Sequence, residues 1–308
     1  MSLETEPPAQ RQSSWLARAV QFPLTRLAAA LVLYPVFLSV FHSAGRLVFS
    51  RLDSLLALKL VEASAAITDL LVVALVMERR PLRDLGFRGK QAFRVFFLGT
   101  ASGGALMSVV FFFMALAGWY HVTGMGTGAR NWLDFGSISV ALLLAAVAEE
   151  IVFRALTFRL LEECAGSWLA LVTSSVYFAW AHGHYPTSSP ASSAGIVMAG
   201  LMLGLAYMAT RNLWFVIGLH WSWNIFQGPI YGAPVSGHQL HGLINVTIEG
   251  PERWTGGAFG PEAGLPVLAV CVVFAIVAAT AAVRNGEVRN GKWFGRRKGP
   301  RNRDGGVA

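Results

Sequence analysis

Two adjacent carboxylates, Glu149 and Glu150, and a guanidinium, Arg154, lie inside VAEEIVFRALTFR, a run otherwise apolar enough for a bilayer. An ionised side chain at mid-bilayer costs at least ~2.5–3.5 kcal/mol, so charges there usually face a bundle interior or a wet cavity. On a helix Glu150 and Arg154 are four residues apart and pair on one face, while Glu149 is turned about 100° away. One carboxylate is held and the other is free for chemistry. Further along, His182 ends one apolar run, and His220 and Asn224 sit one helical turn apart in another. Phe178, four residues before His182, is spaced to wall the pocket below that imidazole. A carboxylate, two imidazoles and an amide are the equipment needed to activate a water and to stabilise an oxyanion. Singly each is weak: a buried histidine is more often structural, and a Glu–Arg pair serves as a packing clamp about as often as a functional element. Their joint occurrence carries the reading, because all four fall about 11–21 Å from the basic ends of their helices at ~1.5 Å per residue. One cavity opening toward the cytoplasm would hold them.

The elements that must deliver these groups are membrane helices. Hydrophobic residues make up 54% of the 308 and charged residues 14%, and the mean hydropathy is +0.51, outside the balance of a soluble domain. Apolar spans are expected at about 27–49, 55–77, 95–119, 137–161, 168–183, 194–210, 213–230 and 265–283, lengths that suit a hydrocarbon layer of ~30 Å. The fold expected is therefore an all-α, polytopic membrane bundle of about eight transmembrane helices. Lys59, Glu62 and Asp69 interrupt the second span, and a Lys59–Glu62 ion pair turned into the bundle accounts for the first two. Gly99, Gly103 and Gly104, and later Gly200 and Gly204, mark close helix contacts. The loop that follows His182 is rich in serine and proline, which argues against helix there. With the N-terminus inside, the inner segments carry eighteen Lys and Arg and the outer loops four. That asymmetry places both termini in the cytoplasm. The net charge of +8 thus collects on one membrane face, and the tail NGKWFGRRKGPRNR reads first as a flexible end facing anionic lipid, with nucleic-acid binding a distant alternative and no nucleic acid expected as the partner. Cys164 and Cys271 form neither a disulfide framework nor a zinc site. His42, His121, His184, His238 and His241 fall in loops or near interfaces and are given no role.

In order, Glu149-Glu150-x-x-x-Arg154, Phe178-x-x-x-His182 and His220-x-x-x-Asn224 resemble the motifs of the CAAX protease and bacteriocin-processing (CPBP, or Abi) intramembrane proteases. The resemblance covers about 137–237, a third of the chain. Hydropathy and charge, with this resemblance for the core, divide the sequence into an N-terminal arm (1–26), N-terminal membrane helices (27–136), the motif-bearing core (137–237), an extracytoplasmic loop (238–264), a last helix (265–283) and a basic cytoplasmic tail (284–308). The resemblance carries further expectations. It implies an endopeptidase in which Glu149 is the general base, His182 shares and orients the water, His220 and Asn224 donate to the oxyanion, and Arg154, paired to Glu150, keeps Glu149 aimed. No required metal is the favoured reading, with zinc held by Glu149, His182 and His220 as the alternative. The implied partners are the bilayer and a membrane-associated protein or peptide, lipidated as in CAAX processing or an unmodified leader. The motifs specify water activation, not the side chain or lipid recognised, and they specify no oligomeric state. Two rivals stand beside this reading: a binding or immunity protein of the same fold that cleaves nothing, and a proton-coupled transporter, against which the sequence shows no inverted repeat.

Overall fold

The computed structural model describes residues 22–48, 54–126, 129–183 and 187–291. Most of the N-terminal arm, His184 and the tail from 292 lie outside these residues.

Helices occur at all eight expected spans: α1 (Pro23–Val48), α2 (Leu55–Leu71, continued by a π-helical turn Val72–Glu78), α3 (Ala92–Leu116), α4 (Ala129–Glu150, continued by a π-helical turn Ile151–Phe158 and then by α5, Arg159–Ala165), α6 (Ser167–His182), α7 (Pro190–Thr210), α8 (Leu213–Ile225, with a π-helical turn Phe226–Ile230) and, after a short α9 (Glu252–Thr255), α10 (Leu265–Arg284). Six of these rods, among the described residues, are long and apolar enough to cross a membrane. The other two, α6 and α8, carry His182, His220 and Asn224 and are shorter, α6 having 16 residues. All-α and polytopic, the bundle shows large apolar side chains such as Val36, Phe97, Phe112 and Ile276 on its outer faces, as lipid contact requires.

Local chemistry explains the breaks. Gly166, with φ +85°, separates α5 from α6, and Arg211, in the left-handed region with φ +49°, ends α7. The serine- and proline-rich loop expected to resist helix instead starts α7 four residues early. Ser189 forms a capping box with Ser192, and Pro190 occupies the first turn, where a missing N–H costs nothing.

Successive helices run between two ends of the bundle. One end is a collar of ion pairs. Arg26 meets Glu78 and Glu163, Arg159 meets Glu78, and Arg211 is bidentate on Glu162 while also reaching Glu287. Arg26, expected in a free arm, is thus inside α1 and 5% exposed. The opposite end carries residues 231–264 and a two-stranded antiparallel sheet, β1 (Tyr120–Met125) with β2 (Ile244–Ile248), which the sequence reading missed. Backbones approach most closely between α3 and α8, where a Cβ on Gly99, Gly103 or Gly218 would collide with main-chain atoms of the facing helix. Gly200 packs on Ser175 and Gly204 on Leu171, so α7 lies against α6 through its small residues.

Candidate active site

Glu149 and Glu150 end α4 at the start of a π-helical turn, a distortion often found at functional sites. Glu150 points inward and is wholly buried, with Oε1 accepting from Arg154 Nη1 at 3.0 Å and from His220 Nδ1 at 2.8 Å. Arg154 also donates to the Gly200 carbonyl at 3.3 Å and lies over the Phe178 ring, 4.8 Å from its centroid. The expected Glu150–Arg154 pair therefore forms, and Glu150 takes a second duty, fixing His220.

Glu149 turns the other way, onto the wall of a cavity of about 550 Å³. Its Oε2 lies 3.7 Å from His182 Nε2 and 3.7 Å from His220 Nε2. That oxygen has no hydrogen-bond partner among the described residues. His182 Nδ1 is 2.8 Å from the Phe178 carbonyl. A carbonyl only accepts, so Nδ1 carries a proton, and Nε2 of the neutral ring presents its lone pair to the cavity. The same logic applies to His220, whose Nδ1 faces Glu150. Phe178 packs against His182 with the rings tilted by 44° and 4.4 Å between centroids, as its spacing predicts. Asn224, half-buried, lines the same cavity. All six expected residues are thus gathered: Glu149, His182, His220 and Asn224 around the space, and Glu150 and Arg154 behind it.

The cavity departs from expectation in its direction. Its wall includes Leu55 and Leu58 at the start of α2, residues 235–240 and Glu262, all at the end opposite the basic collar. A mouth on the basic, cytoplasmic side was expected, and the lining instead gathers at the far end. The helix starts were close, at Ser167 and Leu213, but depth along a helix does not say toward which end a cavity opens. His182 is the last residue of α6, a full helix length from the collar.

Several lining residues were not singled out by sequence. His238, given no role, is one, and its imidazole is held below the ordinary range by burial and by the charge of Lys59. Glu262 is 6% exposed and accepts from the Ser236 N–H at 2.6 Å and from Ser236 Oγ at 3.0 Å. Burial pushes its carboxyl up, against the hydrogen bonds from Ser236. Lys59 and Glu62 pair at 2.8 Å, as their spacing predicts, and both also line the cavity. A charge inside an apolar span was the available signal for Lys59. For Glu262 and Ser236 there was none, because both sit in irregular chain.

Among the described residues no three or more His, Cys, Asp or Glu groups are spaced as a metal's ligands.

No curated protein and no solved structure matches the chain. A family model does: residues 130–226 match the one described as "Type II CAAX prenyl endopeptidase Rce1-like". The matched segment runs from the start of α4 through Asn224 and so contains every residue gathered around Glu149. Across these residues, which hold the site, the chain is similar to the CAAX protease (CPBP) family of membrane proteins.

Proposed function

We propose that the protein is an intramembrane endopeptidase of the CAAX type, hydrolysing a peptide bond with a water activated by Glu149. The observation that carries this reading is the position of Glu149 Oε2, 3.7 Å from Nε2 of both His182 and His220. That separation is too long for a direct hydrogen bond, and because 23% of the Glu149 side chain is exposed on the cavity wall, a water can reach the carboxylate beside the imidazoles.

A water so held gives a proton to Glu149 while its oxygen bonds to the scissile carbonyl carbon. The carbonyl π electrons move to oxygen, and the amide of Asn224 donates to the oxyanion, joined by His220 whenever Nε2 carries a proton. When the tetrahedral species collapses, the C–N bond breaks and the proton on Glu149 passes to the leaving amine. Glu150 holds the His220 ring through Nδ1, Arg154 holds Glu150, and the Phe178 carbonyl holds His182. These three position the reacting groups and touch no substrate. The substrate is a membrane-borne peptide, and the family description favours a prenylated C-terminal one.

The test is cleavage of peptides by the full chain reconstituted in liposomes, alongside peptidomics of cells carrying wild type or Glu149→Gln. New termini that vanish in the variant support the reading. A wild type that cleaves nothing, or a variant that cleaves equally, sinks it. Cleavage that survives a strong chelator is expected. Loss reversed by zinc would replace the side-chain route with a metal-assisted one.

A further inference from the structure

We propose that Lys59 forms a carboxylate-binding subsite in the cavity and holds the free C-terminus of the peptide. This inference rests on the protease reading and adds what part of the substrate is recognised.

Three carboxylates line the space, Glu62, Glu149 and Glu262. An anionic group entering such a cavity is repelled unless a cation meets it. Among the lining residues Lys59 is the one Lys or Arg, since Arg154 lies behind Glu150 and is 2% exposed. Its ammonium is paired with Glu62, but the pair is partly open, with 23% and 32% of the two side chains exposed. The open part of the pair faces the cavity, so a second carboxylate can share the ammonium with Glu62. The ammonium has three N–H donors with which to do so.

Position supports the assignment. Lys59 is one helical turn from the start of α2 at Leu55, at the end of the bundle where 231–264 lies. Lys59 lines the same cavity as Glu149 and residues 235–240. A chain terminus is expensive to desolvate, and this arrangement leaves it near the wetter end while the bond to be broken lies deeper. Of the groups on a linear peptide, a terminal carboxylate is the anion present whatever the side chains. A cation here selects tails over internal loops, and the reach from Lys59 to Glu149 sets how many residues are removed.

The experiment compares one prenylated peptide, ending in cysteine and three further residues, as free acid and as C-terminal amide, on the full chain in nanodiscs. Cleavage is measured with wild type, Lys59→Gln, Lys59→Arg and Glu62→Gln, and binding by fluorescence anisotropy on the Glu149→Gln background. Wild type should prefer the acid by about ten- to a hundredfold in kcat/KM, the range of one charge-assisted hydrogen bond, expressed in KM. Lys59→Gln should bring the acid down to the amide's value. Lys59→Arg should keep most of the preference, and Glu62→Gln should lower KM for the acid. Equal handling of acid and amide by wild type overturns the subsite, as does a Lys59→Gln variant that weakens both alike. If wild type cleaves neither peptide, the protease reading fails, and the binding arm still decides on Lys59: an acid-over-amide preference lost with Lys59→Gln supports it, and no preference overturns it. Should Lys59→Gln not fold, Lys59→Arg and Glu62→Gln decide in the same way.

Discussion

His220 is fixed by Glu150, whose Oε1 accepts from Nδ1 of the ring at 2.8 Å while the same oxygen accepts from Arg154 at 3.0 Å. One buried carboxylate thus serves an imidazole and a guanidinium, and structure and chemistry are coupled through it. Glu150→Gln should lower kcat by about 10²–10⁴, the range of a disabled acid–base element. It should also destabilise the fold by about 3–5 kcal/mol, because Arg154 is left buried without a counter-charge. A Glu150→Gln, Arg154→Gln double variant should recover stability without recovering activity. Thermal unfolding measured beside kcat checks this, and a double variant as unstable as the single one contradicts it.

Asn224 stands on the cavity wall and, in the proposed mechanism, meets charge only as the carbonyl becomes an oxyanion. Asn224→Ala should therefore lower kcat by about 10²–10³ with little change in KM. The unfolding midpoint should stay close to wild type. A KM effect with kcat unchanged would make Asn224 a substrate-binding group instead.

The α3–α8 contact transmits packing to the site, because α8 carries both His220 and Asn224. A methyl group on Gly103 would collide with the Leu219 carbonyl and Ser222 Oγ. Gly103→Ala should cost about 1–3 kcal/mol or more and reduce activity through displacement of His220. At Gly136, in α4, an added Cβ meets nothing within 4 Å, and Gly136→Ala should stabilise by about 0.5–1 kcal/mol. Equal effects at the two glycines would rule out close backbone packing as the cause.

Stability should depend on pH through Glu262. Burial raises its carboxyl above the ordinary glutamate range in the folded state, so the folded chain holds a proton that the unfolded chain has lost. The contribution is full below the unfolded value and is lost as pH rises through the raised one. Wild type should then lose thermal stability from about pH 4.5 upward relative to Glu262→Gln, whose amide does not titrate. Parallel pH profiles for the two proteins would contradict this.

Much of the site was readable because helical spacing alone aligns Glu150 with Arg154, Phe178 with His182, and His220 with Asn224. Each pair lies on one helix, and the periodicity of a helix is independent of its neighbours. What stayed hidden depends on contacts between distant segments. The Glu150–His220 bond joins α4 to α8, and neither residue's own surroundings in the sequence announce it. Glu262 and Ser236 meet across 26 residues that include β2 and α9, and β1 pairs with β2 across more than a hundred residues with no alternating pattern to signal either strand. The early start of α7 was concealed by composition: serine and proline resist helix interiors and favour helix beginnings, and Ser189 and Pro190 are at a beginning.

From α1 to α10 the described chain crosses the bundle eight times, so Arg26 and Glu287 come back to one rim while the cavity belongs to the other. Fusion partners, surface tethers or antibodies attached at that rim would leave the entrance unobstructed. A blocking molecule must be delivered to the opposite compartment, and an impermeant one applied from the two sides in turn would report which face of the membrane the enzyme serves.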